Sequence, residues 1–356
     1  MQLNVLVLPG DGIGTEVTRE AVRVLERVAS RFSHSLKLTE GLLGGVAIHK
    51  TGTPFPDATA ALAQDADATL LGAVGLPEFD NAPPSQRPER GLLGIRAALG
   101  VYANLRPVRT YAALIDSSPL KNHLVEGTDM IIVRELTGGI YYGTPRGIEG
   151  DSAVNTMAYS RPEIDRIARM AFELASKRRK KVSSVDKSNV LECSQLWRKV
   201  VTEVAADYPD VELEHILVDN CAMQLVLNPR RFDVVVTENM FGDILSDEGA
   251  VLAGSIGMLP SASIGGKKPS GAWVGLYEPV HGSAPDIAGQ NKANPLGAIG
   301  SVAAMLEYSF GLLDEAKAVT AAMETVLNSG RVTADLKPAG PPATTEQVGQ
   351  AVCDAI

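Results

Sequence analysis

Two aspartates are spaced so that they could bind one metal ion. Asp243 and Asp247 lie four residues apart in the segment FGDILSD, and on a helix this spacing places both carboxylates on one face, about 5 to 6 Å apart at Cβ. Such a pair suits a hard divalent cation, Mg²⁺ or Mn²⁺, which binds carboxylate oxygens. A third carboxylate, Asp219, closes the strand-like run HILVD, where open α/β sheets place ligand-binding groups. The alternative is a helix N-terminus that simply carries acidic residues.

Three arginines and one lysine could bind and deprotonate an anionic substrate. Arg96, Arg106 and Arg134 each follow an apolar or turn segment, and Arg134 ends a β-run. An arginine binds a carboxylate at two points, so three converging arginines suit a dicarboxylate, although any single arginine is more often a surface ion-pair partner. Lys187 closes the run SSVDK and is a candidate proton acceptor.

A glycine-rich turn follows the first predicted strand. The dinucleotide-binding fingerprint G-x-G-x-x-G requires a third glycine where this chain has Thr15, after Gly10, Gly12 and Gly14. A tight strand-to-helix connection is therefore an equally good interpretation. The sequence also contains no Walker A loop.

The residues above are positioned by alternating strands and helices, which predict an α/β fold with much parallel pairing. Strands are predicted at 4–8, 68–71, 130–133, 182–185, 213–218 and 232–236, with helices over about 17–28, 164–174, 194–205 and 243–252. Residues 138–160, rich in Gly, Thr and Tyr, are predicted to form a hairpin-like arm. The basic cluster at 177–181 is interpreted as a solvated helix end.

Composition limits the class of protein. The 356 residues predict about two domains, and 45% hydrophobic with 21% charged residues is typical of a soluble globular protein. A net charge of −9 argues against nucleic acid as the main partner. Three widely spaced cysteines, with neither a secretory signal nor a long apolar run, indicate a reducing cytoplasm and no membrane association.

Six segments in register together resemble the β-decarboxylating dehydrogenases, the isocitrate/isopropylmalate dehydrogenase family. They are LPGDGIG (8–14), NLRP (104–107), VRELTGGIY (133–141), VDKSNV (185–190), FGDILSD (241–247) and EPVHGSAPDIAG (278–289). The resemblance implies a two-domain isopropylmalate-dehydrogenase-like α/β fold with a largely parallel sheet core. Residues 1–101 plus 257–356 would form the cofactor-binding domain. Residues 102–256 would form an inserted substrate, metal and dimerisation domain, with its arm at about 138–160.

The resemblance also implies a reaction and a homodimer with shared active sites. A C2 alcohol is oxidised by hydride transfer to NAD, and the C3 carboxylate is then lost as CO2. Asp243 and Asp247 of one subunit, with Asp219 of the other, would hold Mg²⁺ or Mn²⁺ next to the substrate, whose carboxylates the three arginines would bind. Lys187 from the partner subunit would remove the C2 proton through a water, and Tyr141 would protonate the enol carbon.

The family's cofactor site does not use the Rossmann fingerprint. The resemblance implies a nucleotide loop over 278–294, in which Asp286 accepts hydrogen bonds from the adenosine ribose and so favours NAD over NADP. The expected cofactor-binding residues are Glu278, His281, Gly282, Ser283, Ala284, Pro285, Asp286 and Asn294.

The expected substrate is 3-isopropylmalate, oxidised to 2-oxo-4-methylpentanoate and CO2 in leucine biosynthesis. Glu89, Leu92 and Leu93, with Val190 from the partner subunit, would form a pocket suited to an isopropyl group. An apolar pocket discriminates by only about 1–3 kcal/mol per methylene. The same chemistry on homoisocitrate, tartrate, D-malate or isocitrate is therefore the alternative, and a catalytically silent anion-binding or assembly protein is a third hypothesis.

Overall fold

Strands and helices alternate along the chain in the computed structural model, which describes residues 1–252, 254–268 and 271–356. The strands are β1 (Gln2–Gly10), β2 (Ser35–Glu40), β3 (Ala68–Ala73), β4 (Ala103–Arg109), β5 (Asp129–Glu135), β6 (Arg146–Glu149), β7 (Ser152–Asn155), β8 (Lys181–Asp186), β9 (Glu212–Leu217), β10 (Val234–Thr237), β11 (Pro260–Lys267) and β12 (Trp273–Pro279). The helices are α1 (Gly14–Arg31), α2 (Gly45–Thr51), α3 (Asp57–Asp65), α4 (Glu89–Leu99), α5 (Asn122–Val125), α6 (Arg161–Ser176), α7 (Glu192–Ala205), α8 (Val218–Leu227), α9 (Asn239–Leu252), α10 (Leu296–Tyr308), α11 (Leu313–Asn328) and α12 (Thr345–Ala355). The predicted α/β class is confirmed.

The chain divides into two compact units. The first unit comprises Met1–Val101 and Gly254–Ile356, and the second comprises Tyr102–Ala253. In the first unit the strands follow the order β2-β1-β3-β12-β11, and β11 is antiparallel to β12 while the other pairs are parallel. Its core contains residues from β1, β3, α4 and β12, including Leu8, Leu71 and Ile95.

The second unit brings several predicted site residues to one edge of a sheet. Its strands follow the order β4-β5-β10-β8-β9, with β4 antiparallel and the others parallel. Thr237 at the end of β10 is in register with Arg134 on β5 and with Val185 on β8. Because parallel strands end at the same edge, that edge carries Arg134 near the end of β5, Lys187 directly after β8 and Asn239 two residues after β10.

The glycine-rich turn is a tightly packed strand-to-helix connection. A Cβ on Gly14 would lie 2.4 Å from the carbonyl oxygen of Pro9 and 2.6 Å from the amide nitrogen of Ala73. The buried Asp11 carboxylate accepts hydrogen bonds from the amides of Gly45, Val46 and Gly75 at 2.8 to 2.9 Å. The glycine at position 14 therefore permits close packing of α1 against the strands, and Asp11 ties together three segments of the first unit.

The predicted arm is a hairpin, since β6 and β7 pair antiparallel and expose their side chains. The basic cluster at 177–181 follows the end of α6, and Lys177, Arg179 and Lys180 are exposed, as predicted for a solvated helix end, but two of its arginines also bind groups of the protein. Arg178 donates to the buried Asp233 carboxylate at 2.8 Å, and Arg179 donates to the Asp129 carbonyl at 2.8 Å. The predicted strand that was to end at Asp219 ends instead at Leu217, and Asp219 lies in the first turn of α8.

None of the helices among the described residues combines the length and the apolar character needed to cross a membrane.

Candidate active site

Arg134 and Asp243 form the centre of a charged cluster in the second unit. Arg134 extends from the carboxyl end of β5, and its Nη1 donates to Oδ1 of Asp243 on α9. The arginine stem packs against Gly242, where a Cβ would lie 2.6 Å from the arginine Cγ. The side chain of Arg134 is 7% exposed, so glycine at 242 gives the buried stem its place.

Arg106, on β4, engages the second predicted metal ligand. Its Nη1 lies 3.0 Å from Oδ1 of Asp247 and 2.6 Å from Oγ of Ser246, and its Nε donates to Oδ1 of Asn104 at 2.8 Å. Both aspartates lie on one face of α9, as their spacing predicted. Two guanidinium groups thus face two carboxylates, and the mutual repulsion of the aspartates is relieved by arginine.

Tyr141 adds a proton donor to this cluster. It ends the short 3-10 turn Gly139–Tyr141, and its hydroxyl donates to Oδ2 of Asp243 at 3.0 Å. Burial, followed by the neighbouring Asp243 charge, raises the pKa of Tyr141. The phenol therefore keeps its proton at neutral pH, as a general acid must.

Lys187 and Asp219 form a separate pair. Lys187 follows β8, and its Nζ donates to Oδ1 of Asp219 at 2.7 Å. This hydrogen bond lowers the pKa of Asp219, so its carboxylate is ionised at neutral pH. Val190, three residues after the lysine, is 61% exposed. In the described part of the chain no three His, Cys, Asp or Glu side chains form a group that could hold a metal, and the placement of Asp219 beside the α9 aspartates of another subunit stays a prediction.

In the first unit Arg96 and Glu278 pair with each other. Arg96 on α4 donates through Nη2 to Oε1 of Glu278 on β12. Among the described residues, Oε2 of Glu278 and Nε of Arg96 are buried without a hydrogen-bond partner. Leu92 packs against the core of this unit, whereas Glu89 and Leu93 are exposed. Buried polar atoms normally find a partner, and these two are available to a polar ligand.

The segment predicted to form the nucleotide loop follows β12. His281 is 9% exposed, and burial lowers its pKa, which leaves the ring neutral. Its Nε2 is buried with no partner in the described residues. The Ser283 carbonyl accepts from the amide of Ile13 at 2.8 Å, which ties the loop to the glycine-rich turn. Gly282, Pro285 and Asp286 are exposed, and Ala284 has a positive φ of 36°.

The side chain of Asn294 makes hydrogen bonds to other parts of the first unit. Its Nδ2 donates to Oδ2 of Asp335 at 3.0 Å, and its Oδ1 accepts from the amide of Leu296 at the start of α10. Asp335 also accepts from Oγ of Ser255 at 2.6 Å. The side-chain oxygen of Asn294 accepts one hydrogen bond here and can accept a second one from a ligand.

Three polar residues around Arg134, the buried Glu238 and Asn239 and the half-buried Tyr159, were not identified from the sequence. Asn239 accepts a hydrogen bond from Nε of Arg134 at 3.0 Å. Tyr159 and Glu238 bond to each other at 3.2 Å beside it. The available signal was position, since Glu238 and Asn239 directly follow β10 at the sheet edge that carries the other site residues.

Comparisons with known proteins show what this chain is similar to. A sequence model of the isocitrate/isopropylmalate dehydrogenase family matches residues 4–352. The chain is 57% identical over 360 residues to a 3-isopropylmalate dehydrogenase from Priestia megaterium, covering 100% of this chain and 96% of that protein. It is 59% identical over 340 residues to the same enzyme from Geobacillus kaustophilus, covering 94% and 90%. Among solved structures, isocitrate dehydrogenase from Methylococcus capsulatus has a TM-score of 0.86 at 35% identity, with 99% of each chain covered.

Proposed function

Because the chain belongs to the isocitrate/isopropylmalate dehydrogenase family, we propose that it catalyses the NAD-dependent oxidative decarboxylation of 3-isopropylmalate in leucine biosynthesis. The products are 2-oxo-4-methylpentanoate and CO2. The observation that carries the proposal is the identity of 57% and 59% to relatives named for this activity, with cationic, acidic and phenolic groups clustered at one sheet edge. The first unit would bind the cofactor, and the second would bind substrate and metal.

The described residues fit a nicotinamide cofactor and a divalent cation. The unpartnered buried atoms of Glu278 and His281 are suited to hydrogen bonds with a polar ligand. The carboxylates of Asp243 and Asp247 are the oxygen donors that Mg²⁺ and Mn²⁺ prefer. A divalent cation and a dicarboxylate dianion together add no net charge to the cluster of two arginines and two aspartates. When bound, the cofactor accepts the C2 hydride and the cation polarises the C2 oxygen.

The side chains then have distinct roles. Arg106 and Arg134, held by hydrogen bonds to their neighbours, bind the carboxylates of the substrate, and Arg96 is the third arginine to which this role is assigned. Lys187 accepts the proton of the C2 hydroxyl through a water. Once hydride transfer has made C2 a ketone, the C3–carboxylate bond breaks: CO2 leaves, the electron pair of that bond forms the C2=C3 double bond, and the C2 oxygen carries the enolate charge. Tyr141, kept protonated by its surroundings, delivers a proton to C3.

We further propose that the active enzyme is a homodimer. Asp219 shares one face of α8 with the exposed Met223 and Leu227, at intervals of four residues, and Asp247 shares a face of α9 with the exposed Ile244 and Val251. Exposed apolar side chains of this size in one region are typical of a subunit interface. A partner seated on these faces would cover the apolar residues and bring its own Asp219, Lys187 and Val190 to the α9 aspartates.

The exposed apolar side chains of the arm support the same assembly. Ile148 on β6 is 83% exposed, and Val154 on β7 is 50% exposed. The hairpin would interlock with its counterpart in the partner. We place the enzyme in the cytoplasm, where its three free cysteines would stay reduced.

The decisive experiment is a substrate panel with NAD or NADP at fixed Mg²⁺. We expect the highest kcat/KM with 3-isopropylmalate and NAD, and loss of activity when the metal is chelated. A higher kcat/KM for isocitrate or homoisocitrate would overturn the choice of substrate. A preference for NADP would overturn the proposal that Asp286 accepts hydrogen bonds from the adenosine ribose and so favours NAD. Lys187→Met serves as the catalytically impaired control, since it removes the proposed proton acceptor.

A further inference from the structure

Asn239 uses every polar atom of its side chain to join two parts of the active-site cluster. It is 1% exposed at the start of α9. Its Oδ1 accepts from Nε of Arg134 at 3.0 Å, while its Nδ2 donates to the carbonyls of Leu136 and Gly138, both at 3.1 Å. These carbonyls lie directly before the turn that ends at Tyr141. One amide therefore contacts the guanidinium of the cluster and the backbone that carries its phenol.

Tyr159, near the C-terminal end of the arm, binds the backbone of Asn239. Its hydroxyl accepts from the backbone amide of Asn239 at 3.0 Å and donates to Oε2 of Glu238 at 3.2 Å. Burial, followed by the Glu238 charge, raises the pKa of Tyr159, so the hydroxyl keeps the proton that it donates. The ring packs so closely on the turn that a Cβ on Gly139 would lie 2.3 Å from the tyrosine oxygen.

Glu238 completes this arrangement as the cap of α9. Its carboxylate accepts from the amides of Met240 at 3.1 Å and Phe241 at 2.7 Å. The first turn of the helix that carries Asp243 is therefore bonded to the same carboxylate that receives the Tyr159 hydroxyl. One hydrogen-bonded group therefore joins both ends of the arm, the start of α9 and the side chain of Arg134.

We propose that Asn239 is a positioning residue that couples the orientation of Arg134 to that of Tyr141, with Tyr159 and Glu238 fixing its own placement. The inference rests on the proposed function, in which Arg134 binds substrate and Tyr141 supplies a proton. The role requires an amide, because the side chain must accept from a guanidinium on one side and donate to two carbonyls on the other. Neither a carboxylate nor an apolar residue can do both.

The asymmetry of these bonds makes the proposal testable by a split between KM and kcat. In Asn239→Asp the acceptor for Arg134 remains, but the two donors to Leu136 and Gly138 are lost. We expect KM for 3-isopropylmalate to stay within about threefold of wild type. We expect kcat to fall at least about tenfold, because misplacement of a reacting group by about 1 Å is costly in rate. In Asn239→Ala both the acceptor for Arg134 and the donors to the two carbonyls are lost, so we expect KM to rise and kcat to fall.

Asn4→Asp is the matched control. It makes the same chemical change in the first unit, where Nδ2 of Asn4 donates to the carbonyl of Asp65 at 3.1 Å, and it should leave both constants unchanged. Wild-type kcat and KM in Asn239→Asp, or a change in melting temperature alone in Asn239→Ala, would overturn the coupling. Absence of wild-type activity on 3-isopropylmalate would instead refute the proposed function.

Tyr159→Phe keeps the ring on the arm and removes only the hydroxyl, so it provides a second test if the Asn239 variants do not fold. We expect kcat to fall about threefold or more with KM little changed, because Asn239 loses its backbone acceptor. An unchanged kcat in a folded Tyr159→Phe enzyme would contradict the proposal.

Discussion

Substitution of Arg134 by lysine tests the centre of the active-site cluster. The guanidinium uses Nη1 for Asp243 and Nε for Asn239, the latter at 3.0 Å, and lies over the ring of Tyr141 with 5.8 Å from Cζ to the ring centroid. A lysine ammonium is a single point of charge and cannot make both bonds in this geometry. At least one charge-assisted hydrogen bond is lost, which costs about 1.5 to 3 kcal/mol.

A lysine would likewise lose at least one of the two charge-assisted hydrogen bonds that Arg134 is proposed to make to a substrate carboxylate, so a loss of the same size is expected in catalytic efficiency. With about 1.4 kcal/mol per factor of ten, kcat/KM for 3-isopropylmalate should fall between about 10-fold and 150-fold in Arg134→Lys. The assay follows the absorbance of the reduced nicotinamide at saturating NAD and Mg²⁺. The fall should appear in KM as well as kcat, because Arg134 is proposed to bind a substrate carboxylate before and during the reaction.

A matched variant separates this effect from general destabilisation. Arg178 is also a partly buried arginine of the second unit, bonded to Asp129 and Asp233 at 2.8 Å. Arg178→Lys should lower the melting temperature and leave kcat/KM near wild type. If Arg134→Lys retained wild-type kcat/KM, or if both variants lost activity to the same extent, the role assigned to Arg134 would be refuted.

Three further substitutions address the metal, the proton donor and the fold. Asp247→Asn removes one carboxylate ligand and should raise the Mn²⁺ concentration for half-maximal rate at least about tenfold; an unchanged value would remove Asp247 from the metal site. Tyr141→Phe should lower kcat by about 10²-fold or more. Because the pKa of Tyr141 is raised, kcat of the wild-type enzyme should not fall at a pH near the ordinary phenol pKa of about 10. A fall of kcat at that pH that is absent in Tyr141→Phe would contradict this prediction. Gly14→Ala should destabilise the first unit by about 1 to 3 kcal/mol in denaturant unfolding, since its Cβ would overlap the Pro9 carbonyl, and a stable variant would show that α1 can shift.

Local patterns in the sequence determined the elements and the spacing within them. The apolar periodicity of residues 17–28 predicted α1, and the four-residue interval between Asp243 and Asp247 predicted that both lie on one face of a helix. These predictions succeed because helix and strand periodicity depend on neighbours within a few residues. The six segments that resemble the family added the expected chemistry, since the resemblance assigns the substrate, metal and cofactor contacts largely to residues within them.

Only the tertiary structure decided which distant groups meet. Arg178 and Arg179 were expected to be solvated, yet they bind Asp129 and Asp233 about 50 residues away. The sequence analysis assigned no role to Asn239, yet it joins Arg134 to the carbonyl of Gly138, across about 100 residues of sequence. Most buried polar atoms find a hydrogen-bond partner in the folded chain. Sheet register and chain packing set which group that partner is, and periodicity along the sequence does not encode either of them.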